Sequence, residues 1–279
     1  TMEALAQAYG GASGEGYEVY AFDLLGQGRS TKPNLPPGSY SIDLWAQQLD
    51  DFVREVVAPS PGGGVVLCGN SLGSLVALTA TAGDQTTPAG SGYLSSPSGV
   101  KGICMFNSAV GLNIRGMFDG PLLKAVLFLL DALLFNNRFV LGLVLDRVVT
   151  KELLREALTN LYLHDPSQVD DELVDSFYGP AKGEGAAGAL SQIYTNDPGL
   201  SPMQLHAKYP ALDALPIHLV WGTQDLVTPI TGGVGKFYTA RSVDPRRPVS
   251  LEMIEAGHVP MDDNSEQANT SLIRWLEAL

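Results

Sequence analysis

The segment Gly69-Asn70-Ser71-Leu72-Gly73 holds a serine between two glycines, with an apolar run, VVLC, before it and a small-residue run, SLVALTATA, after it. G-x-S-x-G between a strand and a helix is a nucleophile elbow: the tight turn exposes the hydroxyl, and glycine-sized neighbours let strand and helix approach. The helix start behind Ser71 also offers main-chain N–H groups and a positive dipole end to an anionic tetrahedral intermediate, with the Leu72 N–H as the expected oxyanion donor. Serine needs a base, and the chain has four histidines. His164 and His206 fall in a helical stretch, and His218 lies inside the strand-like IHLVW, where a structural role is expected. His258, in the loop AGHVPMDD after the last strand candidate, is the expected base. Asp225, in WGTQDLVTP just after IHLVW, is the expected acid that orients it. Among rivals, Asn107 is not an acid, Asp262 and Asp263 read as charges at a helix start, and Asp23 reads as a turn-stabilising carboxylate. Asn70 and Asn107, each at the carboxyl end of a strand candidate, are expected substrate contacts.

These residues need strands that end near one another. Tyr17 to Phe22, Val65 to Cys68, Lys101 to Phe106, Ile217 to Trp221 and Val249 to Ile254 read as strands, rich in β-branched and aromatic residues. Ile42 to Val57 has a helical apolar period, and Ser265 to Leu279 closes the chain as an amphipathic helix. A short helix is expected over residues 2–9 and a solvated loop over 84–99. Residues from about 117 to 209 lack strand signals and read as helices, among them Leu122 to Leu134, Arg138 to Val149, Lys151 to Tyr162 and Asp170 to Tyr178. Alternating strands and helices predict a mostly parallel sheet flanked by helices, with the helical block inserted after one strand.

Composition bounds the function. The chain has 279 residues, 45% of them apolar, enough for one large α/β domain with a subdomain. Its net charge of −13, with no Lys/Arg cluster, makes nucleic acid a poor partner. Cys68 and Cys104, the two cysteines, sit in apolar runs and read as small buried hydrophobes rather than a disulfide. The most apolar stretch, Pro121 to Leu145, is broken by Lys124, Asp131, Asn136-Asn137 and Arg138, so no transmembrane helix is expected. The first ten residues carry neither a basic nor an apolar signal-peptide region. No His, Cys or acid cluster has ligand spacing, and neither metal nor cofactor is expected.

Together, FDLLGQGRS, GNSLGSLVAL, VDDELVDSFYGPA, WGTQDLVTP and AGHVPMDDNSEQAN resemble the α/β-hydrolase superfamily, whose chain order Ser, Asp, His is the one found here. Asn70 and the VDDELV segment make the likeness narrower, to the plastid branch of pheophytinase and the chlorophyll dephytylases. The resemblance implies a Ser71, Asp225, His258 triad, a core of residues 1–110 and 211–279, and a helical cap over 111–210. It also implies hydrolysis of an ester joining a porphyrin-type acid to a phytyl-like alcohol, and a chloroplast location. Two departures stand out. Ser74 replaces a second glycine after the elbow, and the chain has no His-Gly pair of the kind that supplies a second oxyanion N–H in the family. The expectation is therefore a hydrolase lacking its opening strands.

The expected function is a cofactor-independent serine hydrolase of carboxylic esters acting on a small, apolar substrate. The Leu122 to Phe135 apolar residues serve either the cap's own core or a pocket for a long apolar ester, with peripheral membrane contact as a further role. Serine at the elbow argues against branches that need a carboxylate nucleophile there. A carbon-carbon bond hydrolase or perhydrolase on the same triad, a non-catalytic receptor-like binding protein, and an inactive fragment remain alternatives.

Overall fold

A computed structural model of the chain describes residues 17–59, 64–82, 94, 99–112 and 134–279. The helix expected over 2–9, nearly all of the loop expected over 84–99, and the helix Leu122 to Leu134 except its last residue lie outside these. Among the described residues the sheet has four strands, β1 (Val65–Asn70), β2 (Val100–Phe106), β3 (Ile217–Gly222) and β4 (Val249–Ile254), in the spatial order β1-β2-β3-β4. All three pairings are parallel, with Cys68 opposite Cys104, Cys104 opposite His218, and His218 opposite Ser250. Strands covered on both faces need apolar residues at consecutive positions, which is why β3 is buried along its whole length and reads as a run rather than an alternation.

The first helix, α1 (Ile42–Phe52), starts where Ser41 accepts the Leu44 N–H at 3.1 Å and continues as a wider turn over Val53–Val57. It buries Ile42, Trp45 and Ala46, and the Trp45 indole donates to the Leu25 carbonyl at 2.9 Å. Between α1 and the sheet runs α2 (Leu72–Ala82), buried on nearly every side. Apolar or small residues all round this helix follow from that position. Residues 107–216 hold no strand among the described ones. They form α3 (Arg138–Arg147), α4 (Lys151–Thr159), α5 (Asp171–Lys182), α6 (Ala186–Thr195) and α7 (Pro202–Lys208). Asp170 caps α5 by accepting the Leu173 N–H at 2.8 Å. After β3 come α8 (Gly233–Ser242), the four-residue α9 (Pro260–Asp263) and α10 (Ser265–Glu277). The last packs Ala268 and Leu272 on Cys104, Phe106, Val220 and Ile254, on the sheet face opposite α2.

Two expectations are corrected here. Tyr17 to Phe22 is not a strand: it makes no ladder, and Phe22 instead stacks on Phe52 of α1 at 4.5 Å, with Tyr20 edge-on to the same ring. A β-favouring composition supplies no strand without a neighbour to accept its main-chain bonds. Cys104 is buried but Cys68 is exposed, because β1 is an outer strand among those described. Both thiols are free.

His218 and His206 serve the framework. In the first, Nδ1 meets Ser250 Oγ at 2.7 Å, Nε2 meets Ser271 Oγ at 2.8 Å, and the ring stacks on Trp275. Burial pushes its pKa down to about 4. The second bonds through Nδ1 to Asp213 at 2.9 Å, a carboxylate also gripped by Arg241 and Arg247.

Candidate active site

Ser71 stands alone between β1 and α2, with φ of 48°, a left-handed conformation that costs a non-glycine residue about 1–3 kcal/mol. Its main chain is fixed from several sides. The Ser71 N–H donates to the Phe106 carbonyl at 2.9 Å, while its own carbonyl accepts the Ser74 N–H (3.1 Å), the Ser74 hydroxyl (2.5 Å) and the Ala109 N–H (3.2 Å). Ser74 thus locks the turn through its hydroxyl, which also meets Ser108 Oγ at 3.0 Å. Gly69 is required by approach: a Cβ there would lie 2.3 Å from the Gly73 carbonyl carbon, whereas one on Gly73 would meet nothing within 4 Å. The Leu72 N–H opens α2 with no main-chain acceptor among the described residues.

Asp225 follows β3 in a turn that its own carboxylate closes, accepting the Val227 N–H (2.8 Å), the Thr228 N–H (3.1 Å) and the Thr228 hydroxyl (2.7 Å). Both its oxygens lie 3.0 Å from His258 Nδ1, with only 4% of Asp225 and 8% of His258 exposed. Burial pushes this carboxyl up, but the hydrogen bonds from His258 and Thr228 outweigh it, and the group titrates below the usual carboxylate range. With Nδ1–H directed at the acid, Nε2 is the imidazole nitrogen left to take a proton.

The histidine follows β4, three strands from the serine, so its loop must fold back across the strand ends. Asn107 and Asn70 hold it there. Asn107, at φ of 42° and wholly buried, accepts the Gly222 N–H at 2.8 Å and donates Nδ2–H to the Gly257 carbonyl at 2.8 Å. Asn70 donates Nδ2–H to the Phe106 carbonyl (3.2 Å) and to the His258 carbonyl (3.0 Å), joining the residue before the serine to the histidine itself. Both amides, expected at the substrate, donate to main-chain carbonyls; Asn107 is fully buried and Asn70 partly so. The helical block grips the same loop. The His258 N–H donates to the Leu161 carbonyl at 2.9 Å, and a Cβ on Gly257 would sit 2.3 Å from that oxygen.

Asp225 and His258 are therefore in direct contact, while Ser71 and Leu72 join them through Asn70. Sequence spacing missed Asn107 as a brace, Ser74 as a lock, and the burial of Asp263. The aptitude of Asn for left-handed backbone was the available signal at Asn107. Beside the acid, Leu226 and Val227 are exposed, Leu226 by 75%. A surface depression of about 310 Å³ lined by Phe139, Gly142, Leu143 and Asp146 includes none of the residues above. Among the described residues no cluster of three or more His, Cys, Asp or Glu could hold a metal ion, and no helix is long and apolar enough to cross a membrane.

Comparison with known proteins gives this geometry a context. The model of the "Alpha/beta hydrolase family" matches residues 3–269. A chloroplastic pheophytinase from Arabidopsis thaliana is 26% identical over 95% of this chain, which spans 57% of that relative's length. Among solved structures, a thermophilic esterase from Thermogutta terrifontis shares 18% identity and a TM-score of 0.57 over 92% of this chain and 78% of its own. A laboratory-evolved potato epoxide hydrolase shares 16% identity and a TM-score of 0.60 over 92% and 83%. These structural likenesses speak for the fold alone.

Proposed function

The chain belongs to the alpha/beta hydrolase family, and from that premise we propose that it is a serine hydrolase of carboxylic esters. The observation carrying this reading is the buried Asp225–His258 pair at 3.0 Å, tied through Asn70 to a serine held in a left-handed turn at the start of a buried helix. In the proposed reaction Ser71 Oγ attacks the ester carbonyl as His258 Nε2 takes its proton. The Leu72 N–H donates to the oxyanion, and Asp225 orients and stabilises the imidazolium. Collapse expels the alcohol, protonated by His258, and leaves an acyl-serine. Water then attacks with the same proton relay, releasing the acid and restoring Ser71.

For the substrate we favour a long apolar alcohol of phytyl type. Support comes from the pheophytinase likeness, the exposed Leu226 and Val227 beside the acid, and the apolar composition of the helical block, which we read as a cap. The same likeness is the ground for proposing a plastid location. We read Asn70 and Asn107 as braces of the histidine loop rather than substrate contacts. Two measurements test the reading: fluorophosphonate labelling, expected at Ser71 and absent in Ser71→Ala, and hydrolysis of acetate esters of primary alcohols of increasing chain length, expected to favour the longer alcohols. An unlabelled wild-type protein would end the serine-hydrolase reading; labelling with a preference for the short-chain alcohols would end the long-chain one.

A further inference from the structure

Asp263 is 2% exposed, and its carboxylate accepts bonds from four main-chain N–H groups. Three of them are consecutive and belong to the helical block: Leu163 (3.1 Å), His164 (3.1 Å to each oxygen) and Asp165 (2.8 Å). The fourth is Gly257, at 2.5 Å, the residue before the proposed base. Successive N–H groups converging on one anion form a nest, and bonds to an ionised acceptor are roughly twice as strong as neutral ones. Next to it, Asp262 accepts the Tyr162 hydroxyl at 2.6 Å, and His258 donates its own N–H to Leu161. A closed ring results: Leu161 to Asp165 hold Asp263, Asp263 holds Gly257, and His258 returns to Leu161. Ser71, by contrast, is fixed by Phe106, Ala109 and Ser74, which belong to the sheet edge and α2.

We propose that Asp263 is a positioning residue for the hydrolytic reaction, fastening the His258 loop to the helical block, so that the placement of that block sets the distance from imidazole to serine. This rests on the triad reading above. It makes the block a part of the base's support as well as a cover for substrate. Reacting groups displaced by 1 Å lose on the order of 10²-fold in rate.

The variant is Asp263→Asn, whose single amide oxygen faces four donors and whose NH₂ group opposes at least one of them. In the folded variant, held ten or more degrees below its melting point, we expect Ser71 phosphonylation by a fluorophosphonate to slow by about 10²-fold. The downfield proton resonance of the His258 Nδ1–H, expected in the wild type from its bond to Asp225, should be lost or shifted. A purely stabilising Asp263 would lower the melting temperature while leaving both readouts unchanged in the folded fraction, and that result overturns the proposal. Hydrogen exchange on the wild-type chain decides the matter even where the variant fails to fold. The Gly257 amide should exchange in step with those of Leu163, His164 and Asp165; protection of Gly257 differing more than tenfold from the other three also overturns it. Should wild-type Ser71 resist the probe, the ester-hydrolase reading fails by itself, while the resonance and exchange measurements still judge Asp263.

Discussion

The two glycines that flank the proposed nucleophile answer to different forces, and paired alanine substitutions separate them. A Cβ on Gly69 would lie 2.3 Å from the Gly73 carbonyl carbon and 2.5 Å from both the Gly73 oxygen and the Ser74 nitrogen. Ordinary contact begins near 3.4 Å, so β1 and α2 must part by about 1 Å, and the obstructing atoms are main chain, with no rotamer to yield. Overpacking of this kind costs about 1–3 kcal/mol, and a main-chain obstacle belongs at the upper end. At roughly 2–4 °C per kcal/mol for a chain of this size, Gly69→Ala should melt about 4–12 °C lower. Gly73 has open space around its virtual Cβ, no positive φ, and a place in the first turn of α2. Alanine there should leave stability unchanged or raise it by up to about 1 kcal/mol through helix propensity. Thermal and urea melts of both variants measure this. Equal destabilisation by the two substitutions, or none by Gly69→Ala, would refute the close-approach argument.

The other expectations are briefer. Ser71→Ala should lower ester turnover by about 10⁴–10⁶-fold with an unchanged melting temperature, and Asp225→Asn by on the order of 10⁴-fold, both read by steady-state kinetics. Asn107→Ala removes the acceptor of the Gly222 N–H and the donor to the Gly257 carbonyl. At about 1–3 kcal/mol for each of the two buried groups left unpaired, a denaturant titration should register a loss of about 2–6 kcal/mol. His218 binds its proton near pH 4 when folded and near its ordinary 6.5 when unfolded, so its contribution is complete above about pH 6.5 and disappears as pH falls towards 4. His218→Gln should therefore flatten the stability curve across that window, measured by melts at stepped pH. Asp213 is buried enough to be pushed up, yet Arg247, His206 and Arg241 hold it at about 2, below its ordinary 3.8. Its contribution is present above about pH 3.8 and lost towards 2, so Asp213→Asn should remove part of the acid-side loss in that range.

What could be read from sequence was whatever depends on local pattern. Buried parallel strands write themselves as apolar runs, and β1 to β4 begin and end close to those runs. The loops carrying Ser71, Asp225 and His258 were recognisable because each follows such a run. Tyr17 to Phe22 has the same composition without being a strand, since pairing is a relation between segments and no window on one segment contains it. Helices α6 to α8 were not delimited for a related reason: short, glycine-containing segments such as GVGKFYTARS have almost no apolar stripe. The roles of Asn107 and Asp263 were illegible because their partners lie far along the chain, Gly257 being 150 residues from Asn107 and Leu163 being 100 from Asp263. An acid beside a helix start looks the same in sequence whether water or four amides surround it.

The strand order β1-β2-β3-β4 repeats the order along the chain, and Ser71, Asn107, Asp225 and His258 follow one strand each. Residues 107–216 leave the sheet after β2 and return to its immediate neighbour with Ile103 opposite Ile217. That excursion is therefore modular. Evolution or an engineer can lengthen, shorten or exchange it while the adjoining strands keep their pairing, on one condition: the replacement must offer the histidine loop a landing place equivalent to Leu161–Asp165. Grafts of foreign helical blocks onto this scaffold should be chosen by that five-residue footing first.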